Sequence, residues 1–128
     1  MSDILVVETK KEADRKARQV PDPTGFHLLC MVPKIEDTHG DSGIIKADET
    51  MKVESQTTLV LYVAKMGNMA YSDKARFPNG PWCRVGDFII TRAYSGTRVL
   101  IHGTEWRIIN DDTVEAVVED PRGIRRAG

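Results

Sequence analysis

The sequence predicts an all-β fold, a small barrel of short strands with two long excursions. Apolar and β-branched runs recur between residues 25 and 118, with turn residues between them and no helical pattern. Aromatic residues make up only 6% of the 128 residues, so the core is expected to be aliphatic and of modest size. Such a core suits a small barrel better than a large sandwich.

Composition excludes several classes of protein. The formal net charge is -1, whereas general nucleic-acid binding needs a basic surface. No apolar run approaches the roughly 20 residues that span a bilayer. The run Ile4-Leu5-Val6-Val7 is too short for a signal peptide and follows an acidic start. We therefore expect a cytoplasmic protein with neither nucleic-acid nor membrane partners, in which Cys30 and Cys83, lacking metal-type spacing, are free thiols.

The barrel is expected to lie between two charged ends. Residues 1–20 form an extension whose second half, rich in Lys, Glu, Ala and Arg, predicts a short helix. It has no apolar stripe, which favours a solvated arm over an interaction arm. Residues 21–119 form the barrel domain, and residues 120–128 form a basic tail.

Six strands are predicted in order. Residues 25–32 and 57–64 are apolar or β-branched, and the turn Val85-Gly86-Asp87 leads into a third strand. The pair His102-Gly103 stands between two apolar runs, which is typical of a two-residue hairpin. The remaining predicted strands cover residues 98–101, 105–109 and 113–118.

Two irregular excursions interrupt this pattern. Residues 34–56 are polar but carry Ile44 and Ile45, and loops of this length are usually functional or disordered. The isoleucines either present an apolar hook to another protein or pack back onto the barrel. Residues 65–84 are rich in turn residues and contain Tyr71, Phe77 and Trp82. Local packing of these aromatic side chains is favoured over a contact surface.

From residue 85 onward the sequence resembles the GroES-type co-chaperonins, also called chaperonin-10. The matching features are the V-G-D turn at 85–87, the turn Tyr94-Ser95-Gly96-Thr97, the hairpin at 101–109 and the last strand at 112–118. Upstream, Ser42-Gly43-Ile44-Ile45 stands where the family has its mobile loop. The likeness covers roughly residues 21–119, and the run Pro81-Trp82-Cys83-Arg84-Val85-Gly86-Asp87 looks most like versions carried by bacteriophages.

The resemblance implies a ring of seven subunits that caps a GroEL-type chaperonin and assists folding. It places chaperonin binding in the mobile loop, at Gly43, Ile44, Ile45 and Lys46; the family prefers leucine at the last position. It assigns residues 65–84 to the roof of the ring. The subunit interface would join the first strand of one copy to the last strand of its neighbour, through Phe26, Leu28, Cys30, Val114, Ala116 and Val118. The protein would need no cofactor of its own, since the chaperonin binds ATP and ADP, and a phage version would act in the host cytoplasm.

Two alternatives are weighed against a co-chaperonin. An enzyme is disfavoured because His27, His39 and His102 are scattered and no catalytic motif is present. The acidic residues Asp41 and Asp111-Asp112 are typical turn formers rather than metal ligands. The second alternative is the same fold used as a virion or assembly component, which the unusual Lys46, the long second excursion and the N-terminal extension leave open.

Overall fold

The computed structural model describes residues 11–34 and 59–127. Within these ranges residues 11–18 are helical, and a 3₁₀ turn covers Asp111–Thr113. The strands are β1 (His27–Met31), β2 (Val60–Met66), β3 (Phe88–Ile90), β4 (Thr97–Ile101), β5 (Thr104–Asn110) and β6 (Ala116–Val118). No helix among the described residues is long and apolar enough to cross a membrane.

The strands form one six-stranded antiparallel sheet in the order β4-β5-β1-β2-β3-β6. β1 lies inside the sheet and bonds to β5 on one side and β2 on the other, with a register shift between Leu29 and Cys30 on the β2 side. This arrangement confirms the predicted all-β class. β4 and β6 are the two outer strands, each with one bonded neighbour among the described strands.

The core combines aliphatic strand residues with side chains from the second excursion. Each strand points alternate residues to opposite faces. One face carries the strand residues of the main core cluster, while Leu29 and Val60, which alternate with them, are also buried. The strand members of the core are Leu28, Cys30, Leu61, Val63, Ile89 and Ile109. Tyr71, Phe77, Cys83 and Val114 complete it. The low aromatic content predicts the aliphatic strand residues of this core. It does not predict that the second excursion adds Tyr71, Phe77 and Cys83 to them.

The boundaries of the second strand differ from the prediction. The sequence predicts a strand over residues 57–64, whereas β2 runs on to Met66. Residues 57 and 58 lie outside the described ranges. Pairing of Leu28 with Met66 and of Leu29 with Lys65 extends the strand past the last β-branched residue. Partner hydrogen bonds, which local propensity does not record, determine this end.

The predicted hairpin turn is confirmed at His102-Gly103. Both residues have positive φ, 48° and 80°, as the tight turn between β4 and β5 requires. The side chain of His102 also approaches the N-terminal extension, since its Nε2 lies 2.6 Å from Oε1 of Gln19. On β2, Lys65 Nζ donates to the Val20 carbonyl oxygen at 3.5 Å and to Asp22 Oδ1 at 2.8 Å. Gln19 and Val20, at the end of the extension, are thereby connected to the sheet.

Candidate interaction surfaces

The outer edge of β6 is the first candidate surface. β6 pairs only with β3 among the described strands, through Ala116↔Ile90, Val117↔Ile89 and Val118↔Phe88. Its other edge therefore presents main-chain groups that another strand can bond. Val117 is 48% exposed on this strand, so an apolar side chain accompanies the open backbone edge.

The structure places the predicted interface residues in three different environments. Leu28 and Cys30 are fully buried in the core of their own chain, and β1 is bonded on both sides. Val114 is also buried, whereas Ala116 and Phe26 are exposed. β1 therefore has no free edge for a neighbouring subunit, whereas β6, the other strand of the predicted interface, has one.

The two valines of β6 differ in their exposure. Val118 is half-buried, while Val117, which sequence reasoning did not select, is exposed. The alternation of side chains along a strand shows which residues share a face. It does not show which of the two faces is buried when the strand lies at the edge of a sheet. The set that the resemblance supplied, Val114, Ala116 and Val118, therefore left out the exposed Val117.

The second excursion packs around a cluster of three aromatic rings. The Tyr71 and Phe77 ring centroids lie 4.8 Å apart, and those of Phe77 and Trp82 lie 4.9 Å apart, both in edge-to-face arrangements. Tyr71 and Phe77 are buried, whereas Trp82 keeps about half of its surface exposed. Local packing, the favoured interpretation, holds for the first two rings, and Trp82 adds an exposed rim.

Asp111 fastens this excursion to the end of β5. Its carboxylate Oδ2 accepts the Tyr71 main-chain N–H at 2.9 Å, and its carbonyl oxygen accepts the Tyr71 hydroxyl at 2.8 Å. Asp112, next in the chain, forms an ion pair with Arg76. Both acidic residues therefore join the excursion to the turn after β5, which agrees with their expected role as turn residues.

The two thiols lie in the same core. Cys30 and Cys83 are free and buried. Burial, with a smaller contribution from nearby Cys83, raises the pKa of Cys30 to about 12. Burial likewise raises the pKa of Cys83. A thiol that stays protonated at neutral pH is a poor nucleophile and a poor metal ligand.

The histidines that the structure describes have structural partners. His27 Nδ1–H donates to the Thr24 carbonyl at 2.8 Å, and its ring stacks on Phe26. His102 contacts Gln19, as described above, while His39 lies outside the described residues. In the described ranges no group of three or more His, Cys, Asp or Glu side chains is placed to hold a metal ion.

The predicted chaperonin-binding residues Gly43, Ile44, Ile45 and Lys46 lie outside the described residues, as does Asp41. The described part of the chain does show where that loop leaves and re-enters. β1 ends at Met31 and β2 begins at Val60, and the two are neighbours in the sheet. The loop therefore connects adjacent antiparallel strands at one end of the sheet.

Two curated relatives align with most of this chain at about one-third identity. The chain is 32% identical over 98 residues to a protein named co-chaperonin GroES from Caldicellulosiruptor saccharolyticus, covering 77% of this chain and 96% of the relative. The protein of the same name from Caldicellulosiruptor bescii matches with the same identity and coverage. No protein-family model matches the chain.

Proposed function

Because the chain belongs to the GroES co-chaperonin family, we propose that it forms a ring lid on a GroEL-type chaperonin and assists ATP-dependent folding of client proteins. The likeness to curated co-chaperonins over 96% of their length carries this proposal. The all-β sheet with an open outer strand supports it. Under this proposal residues 21–119 are the lid domain, between the extension 1–20 and the tail 120–128.

The loop at 34–56 is proposed as the mobile loop, with Gly43, Ile44, Ile45 and Lys46 contacting the chaperonin. Burying two isoleucines contributes roughly 3–6 kcal/mol per loop. Ordering each backbone residue costs about 1–2 kcal/mol, so one loop is close to break-even. Several loops on one rigid ring would bind together because later contacts become intramolecular. Weak single contacts also allow release, which a cycling lid requires.

A ring of seven is proposed, with the free edge of β6 as one half of each subunit contact. Ala116, Val117 and Val118 supply that edge. Since β1 is bonded on both sides, we place the neighbour's contribution in residues 20–24, which lead into β1, and at the exposed ring of Phe26. Pairing at β6 would also remove an open strand edge from each subunit.

No catalysis and no cofactor are proposed for the chain itself. ATP and ADP would bind and turn over on the chaperonin, and the lid would respond through its loops. The raised pKa of the buried Cys30 thiol supports a non-catalytic role for that side chain. The site of action would be the cytoplasm, or the host cytoplasm if the run 81–87 reflects a bacteriophage origin, with neither nucleic acid nor membrane as partner.

The test is mass-resolved chromatography of the purified protein, alone and mixed with a bacterial GroEL-type chaperonin. Each mixture is run without nucleotide, with ADP and with ATP. We expect a ring that co-elutes with the chaperonin only when nucleotide is present. A ring or monomer that never co-elutes with the chaperonin would overturn the proposal and favour a virion or assembly component. Purified virus particles would then be examined for the protein.

A further inference from the structure

The outer edge of β4 is a second open edge, at the opposite side of the sheet from β6. β4 pairs only with β5 among the described strands. Leu100, next to the last residue of β4, is 73% exposed. An exposed outer strand that carries a large apolar side chain is a template for pairing with another segment. The ring contact proposed at β6 leaves this edge unoccupied.

Leu100 points to the same face of the sheet as the core. Arg98, two residues before Leu100 in β4, pairs with Arg107 of β5. Arg107 pairs in turn with Cys30 of β1, which belongs to the core. Residues directly opposite each other share a face, and so do residues two apart in one strand. Leu100 therefore belongs to the inward-facing side, yet no described element covers it there.

The other face of β4 is also apolar. Val99 pairs with Trp106, and Ile101 pairs with Thr104. Val99, Ile101 and Trp106 are each half-buried. A segment that adds to β4 would consequently meet apolar side chains on both faces. Such a segment should itself be apolar at consecutive positions, unlike the alternating pattern of a half-solvated strand.

We propose that residues 4–7 of the same chain, Ile4-Leu5-Val6-Val7, add to the free edge of β4 as an extra strand. These residues lie outside the described ranges. The run is apolar at four consecutive positions and contains three β-branched residues, which favours a strand covered on both faces. Alternate side chains would cover Leu100 on one face and Val99 with Ile101 on the other.

The extension is already attached close to this edge. Gln19 Oε1 lies 2.6 Å from Nε2 of His102, in the turn that ends β4. The helical residues 11–18 span about 12 Å at 1.5 Å per residue. Three further residues, 8–10, reach about 10 Å when extended. Residues 4–7 are thus within reach of a strand that is itself about 17 Å long.

The tether favours the chain's own segment over a second copy. A short linker holds its segment at a millimolar effective concentration, which exceeds the concentration of free copies in most samples. Residues 11–18 are exposed and charged at six of eight positions, with Glu12 near both Arg15 and Lys16, which keeps them from packing as a core helix. Its simplest role is that of a spacer between the His102 turn and the added strand.

The first experiment is disulfide trapping in the full-length chain. Val6→Cys is combined with Leu100→Cys, while Cys30 and Cys83 stay because both are buried. Mild oxidation should form an intrachain bond between positions 6 and 100, found by peptide mapping. The matched control, Val6→Cys with Val117→Cys on the other open edge, should form none. Mixed single-cysteine variants should not cross-link to each other; such a cross-link would transfer the contact to a second copy and overturn the proposal.

A second measurement needs no cysteine. Main-chain amides of β4 that do not bond β5 should be protected from hydrogen exchange in the natural chain. Replacing Ile4, Leu5, Val6 and Val7 by serine should lower that protection at least tenfold and leave the amides bonded to β5 unchanged. Unprotected β4 amides in the natural chain would overturn the proposal. Neither experiment uses a chaperonin, so failure here is distinct from failure of the lid function.

Discussion

The hydroxyl of Tyr71 donates to the main-chain carbonyl of Asp111 at 2.8 Å, across 40 residues of sequence. The same tyrosine has a positive φ of 59°, and its N–H bonds the Asp111 carboxylate. Two hydrogen bonds from one residue therefore hold the second excursion against the turn that leads into β6. The position of the excursion and the position of the proposed interface strand depend on each other through this contact.

Tyr71→Phe tests that contact. The ring and its packing on Phe77 remain, while the buried Asp111 carbonyl loses its hydroxyl partner. We expect the free energy of unfolding to fall by about 1–3 kcal/mol, the cost of an unsatisfied buried group. Urea denaturation measures it. Tyr94→Phe, at an exposed tyrosine that also has positive φ, is the control and should change stability little.

Gly67→Ala tests the close approach of two chain segments. A Cβ at Gly67 would lie 2.2 Å from the carbonyl oxygen of Gly25, which is main chain and cannot rotate away. We expect a loss of about 3 kcal/mol in the free energy of unfolding, at the upper end for overpacking. Gly25→Ala is the control: nothing lies near its Cβ, and only its φ of 58° adds a cost. A larger loss for Gly25→Ala would contradict the geometry.

Val117→Lys tests the proposed subunit contact. A charge on the open β6 edge discourages strand pairing between copies. We expect the concentration for half-assembly to rise by about tenfold or more, equivalent to about 1.4 kcal/mol per contact. Light scattering coupled to chromatography over a dilution series measures this. Val85→Lys adds the same charge at an exposed valine outside the strands and should leave assembly unchanged.

Ile44→Asp combined with Ile45→Asp tests the proposed hook. Removing both apolar side chains should abolish co-elution with the chaperonin, while the ring itself stays intact. Thr50→Asp with Ser55→Asp adds the same charge elsewhere in the loop and should retain at least part of the binding. Retained binding in the isoleucine variant would remove these residues from the mechanism.

Lys46→Leu tests the third position of the same hook. If the lysine is a weakened anchor, leucine should tighten chaperonin binding by up to roughly tenfold, since one buried aliphatic side chain contributes about 1.5–3 kcal/mol before ordering costs. Titration of labelled protein with chaperonin and nucleotide measures the affinity. Unchanged or weaker binding would show that the lysine makes a favourable contact through its stem or its charge.

The buried Cys30 thiol predicts a loss of stability in alkali. Its pKa is raised from 9.0 to about 12 in the folded protein, mainly by burial. The unfolded chain therefore releases this proton first, so the contribution to stability is complete below pH 9 and declines as the pH rises toward 12. Urea denaturation between pH 8 and pH 10.5 should show this decline. Cys30→Val, similar in volume, should show a shallower one, with Cys83 and Tyr71 accounting for the remainder.

Local sequence patterns were enough to predict the all-β class, most of the strands and the hairpin at His102-Gly103. These features depend on local chemistry: β-branched runs, turn residues and a two-residue turn that tolerates positive φ. The sequence also predicts that both cysteines are free thiols, because their spacing indicates neither a disulfide nor a metal site. The family resemblance then supplied a function that no single residue identifies.

Local patterns do not predict which strands lie inside the sheet and which lie at its edges. Leu28 and Val117 look alike in sequence, yet one is buried in a strand bonded on both sides and the other is exposed on an outer strand. Strand order is set by contacts between distant segments, and the same apolar side chain is core or surface according to its neighbours. For the same reason, the open edge at Leu100 became visible only once β4 was placed at the end of the sheet.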